Sequence, residues 1–200
     1  MKKILTYLTT LCCTAGAAPY YLPQPPGGAL TPYDWQPTWR MDMLYTFGAH
    51  HAPDTAGFRT GLELYSNAVS PVRHQFGACV GPQWGNSHHI CDGMHVHEHL
   101  CTIPITLGYT LNLELMKGVF LILGGKAGWA VGRYTQRSDT WRDSGSHQGF
   151  TFAAGGGFKV QCSERTYFHV GYDFARTYSN RHHEAILGQH ILSSGLEWQF

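Results

Sequence analysis

The chain has 200 residues, a formal net charge of +1 and only 14% charged residues, which excludes the basic footprint of a nucleic-acid binder. Its 24 glycines and 14% aromatic residues come without the Ala-, Leu-, Glu- and Lys-rich helical periods expected of a soluble α/β enzyme of this size. Beyond the N-terminal segment, no apolar run is long enough for a membrane-crossing helix.

Lys2 and Lys3 precede an apolar run from Ile4 to Cys13, and an A-x-A pattern follows at Ala15-Gly16-Ala17. Those are the three parts of a secretory signal peptide, residues 1–17, whose apolar run is too short to span a bilayer. Residues 18–37 include "PYYLPQPPGGALTPYDWQP", a proline-rich extended tether with few backbone donors for a sheet.

From residue 38 to residue 200 the pattern has period two, in eight segments. Trp39, Met41, Met43, Tyr45 and Phe47 oppose Arg40, Asp42 and Thr46; Phe58, Leu62 and Leu64 oppose Arg59, Gly61 and Glu63. In the third, Phe76, Ala78, Val80 and Trp84 oppose Gln75, Gly77, Gly81 and Gln83; in the fourth, Ile103, Ile105, Leu107, Tyr109 and Leu111 oppose Thr102, Thr106 and Gly108. The fifth sets Val119, Leu121, Leu123, Ala127, Trp129 and Val131 against Gly124, Lys126, Gly128 and Gly132. Phe150, Phe152, Ala154, Phe158 and Val160 then oppose Thr151, Gly155, Gly157 and Lys159. Phe168, Val170, Tyr172 and Phe174 oppose His169, Gly171 and Asp173, and Leu192, Leu196, Trp198 and Phe200 oppose Ser193, Gly195 and Glu197.

Segments of about ten residues suit tilted membrane-spanning strands. One face is apolar with aromatics near the segment ends, and the other is mostly glycine and threonine with a few charges. Lipid requires that arrangement of a closed eight-stranded antiparallel barrel. A lipocalin or β-sandwich would instead carry a strongly polar solvent face.

The residues "IPITLGYTLNL", "LILGGKAGWAVG", "VGYDFAR" and the closing "GLEWQF" resemble the small eight-stranded outer-membrane barrels of the OmpA and OmpX type. The likeness runs from about Trp39 to Phe200 and includes the signal peptide. It implies a monomeric up-and-down barrel in the bacterial outer membrane, inserted by the assembly machinery that reads a terminal aromatic. It also implies a periplasmic tether and outer-membrane lipid and lipopolysaccharide as surroundings. Residues 49–57, 86–94, 135–146 and 178–184 then become surface loops, and residues 66–71, 114–118 and 162–165 periplasmic turns.

That scheme gathers the histidines at the outer rim. His50 and His51 fall in the first loop; His88, His89, His95, His97 and His99 in or beside the second; His147 borders the third; His182 and His183 lie in the fourth. His95, His97 and His99 alternate along a strand and point one way. With His88 or His89 they are candidate ligands for zinc, copper or nickel, although "HVHEHLC" lacks the H-E-x-x-H helix of a hydrolytic zinc site. Without metal, the same imidazoles would charge together on mild acidification and alter how the surface meets anionic glycans.

Four cysteines follow the signal peptide, and export favours disulfides. Cys91 with Cys101 is the expected pair, while Cys79 faces the lumen and Cys162 a periplasmic turn. The lumen set comprises Arg40, Asp42, Arg59, Glu63, Lys126, Lys159, Asp173 and Glu197. Charges of both signs in so narrow a barrel are expected to pair and plug it.

"TYSNRHH" resembles part of the lipid A deacylase pattern at Ser179 and Asn180, but Thr177 stands where the base should be, and His182 or His183 would have to substitute. The expected function is therefore a non-enzymatic structural or surface-interaction role, through histidine-rich loops that meet a surface ligand or host partner. A narrow passive pore and a metal-binding surface protein are the alternatives, and a lipid A-modifying hydrolase ranks below both.

Overall fold

The computed structural model describes residues 35–49, 54–66, 71–91, 94–178 and 185–200. The expected signal peptide, most of the tether, His50, His51, and the loop holding Ser179, Asn180, His182 and His183 lie outside the described residues. The strands are β1 (Trp35–Ala49), β2 (Thr55–Ser66), β3 (Val72–Val80), β4 (Gln83–Cys91), β5 (Met94–Met116), β6 (Val119–Arg137), β7 (Arg142–Gln161), β8 (Thr166–Tyr178) and β9 (Ala185–Gln199). Every pairing is antiparallel, and β1 bonds to both β2 and β9, which closes the sheet into a ring.

The nine described strands make eight staves. β3 and β4 are one stave interrupted at Gly81–Pro82, and both lie along β5. Pro82 has no N–H to give the ladder. Its carbonyl still accepts from Phe58 N at 3.2 Å, and Gly81 N donates to Pro104 O at 3.1 Å, so the seam stays bonded on both sides. The β5–β6 turn is tight, and Gly118 sits there at φ 74°, a conformation that glycine adopts without penalty.

β1 starts within the stretch expected to be tether. Pro37 already pairs with Leu64, and its carbonyl accepts from Phe200 N at 3.0 Å, which ties the last residue of the chain to the first strand. The larger departure is at the outer rim. The second and third expected loops are mostly strand: β4 runs on to Cys91, β5 starts at Met94, β6 reaches Arg137 and β7 starts at Arg142. β5 has 23 residues, roughly 75 Å at about 3.3 Å per residue, about twice the length a membrane-spanning strand needs. Beyond Gly85 the described β4 bonds only to β5, and before Thr151 β7 bonds only to β6. These four strands therefore rise from the barrel as a sheet, here called the paddle.

The alternation predicted from sequence holds in every stave, and it is inverted relative to a water-soluble protein. Met43, Leu62 and Leu107 expose 75%, 68% and 71% of their surface on the outside, while Asp42, Lys159 and Glu197 are buried within. Aromatic pairs mark both borders of the apolar band. Trp39–Trp198 and Trp35–Phe76 lie toward the periplasmic end, and Tyr45–Phe47 and Phe58–Trp84 toward the outer end. Hydrocarbon, against which such surface costs nothing, is the solvent that explains this distribution.

Leu107 sits well inside that band on β5. Leu107→Arg should therefore destabilise the barrel in lipid vesicles by about 2–4 kcal/mol, the cost of a cation near the bilayer midplane. Urea unfolding followed by tryptophan fluorescence reads it, and an unchanged midpoint would mean that this face does not meet lipid.

Candidate functional site

Two regions carry chemistry: the lumen and the paddle. In the lumen all eight predicted charges point inward and meet. Asp42 is the hub. Arg40 Nε donates to its Oδ1 at 3.0 Å, Arg59 Nε donates to its Oδ2 at 2.8 Å, and His169 Nε2 lies 2.6 Å from Oδ1. Arg59 Nη1 continues to Asp173 Oδ2 at 3.4 Å, where Lys126 Nζ arrives at 3.2 Å. Nearer the periplasm, Lys159 Nζ donates to Glu197 Oε1 at 3.3 Å and to Gln75 Oε1 at 3.4 Å, and Gln75 also bonds Glu63.

Alternation explains why these side chains face inward, and register explains why they meet: Asp42 lies opposite Arg59 on β2 and Gly195 on β9. A Cβ at residue 195 would fall 2.6 Å from Asp42 Oδ1, so glycine there leaves room for the carboxylate. The four cations Arg40, Arg59, Lys126 and Lys159 balance the four anions Asp42, Glu63, Asp173 and Glu197.

An apolar and aromatic floor completes the plug, which the sequence reading did not identify. Tyr65, Phe120 and Tyr167 are buried, with Lys159 Nζ 4.3 Å from the Tyr65 ring centre and the Arg73 guanidinium carbon 4.9 Å from that of Phe120. Phe120 and Tyr167 share the inward parity of Lys126 and His169, so alternation alone could have identified them. Two small voids flank Lys126, of about 50 Å³ toward the outer end and about 20 Å³ toward the periplasm. Such spaces hold a few waters and are no channel.

Asp42→Ala would leave Arg40 and Arg59 buried without their carboxylate. The expected loss is about 3–5 kcal/mol of unfolding free energy, the usual consequence of removing one partner of a buried ion pair. Guanidinium unfolding in vesicles measures it, and a variant as stable as the parent would show that the network does not hold the lumen.

On the paddle, three of the predicted metal residues, His88, His95 and His97, pack together, and His99 does not join them. His88 lies opposite His97, and His95 opposite Ile90, all on the outward face. The His88 ring centre is 5.1 Å from that of His95 and 4.4 Å from that of His97. The ring planes stand at 23° and 55° to His88, so the rings pack on one another more than they aim their nitrogens at a common point. His99 turns away to Asn86 Oδ1, and the His89 side chain lies outside the described residues. Among the described residues no three of His, Cys, Asp or Glu are arranged to hold a metal ion.

Two further expectations change. His147 was expected to border a loop, but it is buried on the inner face of β7, with Nε2 3.4 Å from Thr102 Oγ1. The Cys91–Cys101 disulfide does not form. Cys91 lies opposite Met94, seven residues along β5 from Cys101, roughly 23 Å away and far beyond disulfide reach. Cys101 is free and exposed, Cys162 is free at its turn, and Cys79 is free and faces the lumen as predicted. Thr177, at the position where the deacylase pattern has its base, points into the barrel and bonds Thr151 at 3.0 Å.

Above the apolar band the same alternation sorts the paddle's charges. Its outward face carries His88, His95, His97, His99, Arg133, Arg137 and Arg142, all exposed. Glu98 and Asp143 turn the other way, toward Ser87, Gln136 and Tyr134. No carboxylate of the described residues in these four strands lies on the outward face. His88 packs against His95 and His97, and His97 lies opposite Arg137.

A closed ring of eight antiparallel staves, a lipid-facing apolar band with aromatic borders and a side-chain-filled lumen define a small transmembrane β-barrel. No family model matches the chain, and no curated protein does. Among solved structures it is similar to neisserial surface protein A, at 12% identity over 83% of this chain and 97% of that one, with a TM-score of 0.48. It is also similar to Ail, the attachment invasion locus protein of Yersinia pestis, at 12% identity over 83% and 97%, with a TM-score of 0.47. The N-terminal β-barrel domain of Pseudomonas aeruginosa OprF is similar at 17% identity over 84% and 100%, with a TM-score of 0.45.

Proposed function

We propose that this chain is a sealed, non-catalytic outer-membrane barrel that acts at the cell surface through the β4–β7 paddle. One observation carries the reading: the lumen's charges are matched and buried, while the paddle leaves a set of cations and histidines exposed. A pore needs a continuous aqueous path, and Lys126, Asp173 and Arg59 block the centre of this one.

A catalytic site needs a nucleophile or metal within reach of a base. Among the described residues, the inward Thr177 and the packed imidazoles of His88, His95 and His97 supply neither. The barrel thus serves as an anchor that holds a rigid four-stranded sheet above the membrane. Sheets are stiffer than loops, so ligands meet a preformed surface and pay little ordering cost.

The full chain reconstituted in planar bilayers should be electrically silent at physiological salt. Steady single-channel steps from the purified protein would overturn the sealed reading.

A further inference from the structure

The outward face of the paddle is continuous with the outward face of the barrel. Along β6 it reads Leu121, Leu123, Ala127, Trp129 and Val131, and then Arg133 and Arg137. Along β5 it reads Leu107, Ile105 and Ile103, and then Cys101, His99, His97 and His95. The border between grease and cation falls at one register. Ile103 is paired with Val131, and the next outward row is Trp84, Cys101, Arg133 and Ser146. Two rows higher, His88, His97, Arg137 and Arg142 lie side by side across all four strands. At about 3.3 Å per residue, Arg133 stands about 7 Å beyond Val131, and the four-residue row about 13 Å beyond Arg133.

We infer that this face, from Arg133 up to the row His88–His97–Arg137–Arg142, binds the phosphorylated headgroup of an outer-leaflet glycolipid whose acyl chains pack on the apolar band below. The inference rests on the reading of the paddle as the working surface and names what that surface holds.

Three features select this ligand. The cations stand on the same strand faces that meet hydrocarbon, so one molecule with a greasy end and an anionic end can occupy both zones. They extend along the strands at two levels, which suits a headgroup bearing phosphates at more than one depth, as lipopolysaccharide does. The cations are arginines, whose planar forks match phosphate oxygens in pairs, and the acids of these strands that would compete, Glu98 and Asp143, turn to the opposite face. A soluble polyanion would gain nothing from the apolar zone and would have to enter between the paddle and the surrounding lipid heads.

The test uses the full chain in phosphatidylcholine nanodiscs doped with increasing fractions of rough lipopolysaccharide, with binding read from glycolipid retained on affinity capture. Wild type should saturate at a low mole fraction. Arg133→Gln/Arg137→Gln/Arg142→Gln should need roughly tenfold more, the scale of lost charge-assisted hydrogen bonds. His88→Gln/His97→Gln should fall between them.

The same glycolipid stripped of its phosphates should be retained by wild type no better than phosphatidylcholine. That arm requires no variant, so a folding failure in the triple substitution leaves the proposal testable. Equal retention of the dephosphorylated form, or wild-type retention by a triple variant that keeps the heat-dependent gel shift of a folded barrel, would overturn it. So would a soluble sulfated oligosaccharide that binds the three arginines while lipopolysaccharide does not; a soluble polyanion would then be the occupant and the paddle would still be the working surface. Ion conductance fails or stands separately, because it reads the lumen.

Discussion

Hydrocarbon offers a peptide group no hydrogen-bond partner, so a sheet that crosses it must bond its last strand to its first. Here the closing seam runs between β1 and β9, twelve paired positions from Thr38–Gln199 to Ala49–Gly188. Once that ring is closed, each residue's parity decides its solvent. Trp39, Met41 and Met43 face lipid, and Arg40 and Asp42 between them face the lumen. The charges therefore lie in the centre because no other face of the strand is polar.

The closed ring constrains its own interior. A lumen of eight staves is too narrow for bulk water, so an ionised group inside must find its partner among its neighbours. Asp42 does so by receiving Arg40, Arg59 and His169 at once, and the network continues through Asp173 and Lys126. Transport would require several of these pairs to separate together, and the proposed sealing rests on that coupling, on the width of the barrel and on the balance of its charges.

Much of this was legible in the sequence. Period two over some ten residues at a time identified the staves, and the same parity placed all eight lumen charges, because a strand offers only two faces. Cross-strand register was not legible. That His88 lies opposite His97, and Arg137 beyond it, depends on how four strands slide past one another. The paddle was missed for a related reason. "NSHHICDGMHVHEH" and "TQRSDTWRDSGS" are polar on both faces, and without an apolar face the alternation cannot be seen. Polar, glycine-containing stretches were read as loops, although backbone pairing continues through most of them. The Cys91–Cys101 pairing failed for the same reason, since a loop could have brought them together and a hairpin holds them apart.

The parity rule continues above the membrane, although the reason for it changes there. Within the bilayer, lipid forces apolar residues outward. Above it water bathes both faces, and physics no longer demands any sorting. Yet the sorting persists: arginines and histidines outward, Glu98 and Asp143 inward, with Val96 and Leu100 buried beneath them. A sheet that needed only solubility could mix both signs on each face. A segregated face costs stability through repulsion among Arg133, Arg137 and Arg142, and such a cost persists where something anionic relieves it. An anionic outer-leaflet glycolipid, the ligand proposed above, would supply that relief, so one environment would account for both the barrel's inversion and the paddle's polarity.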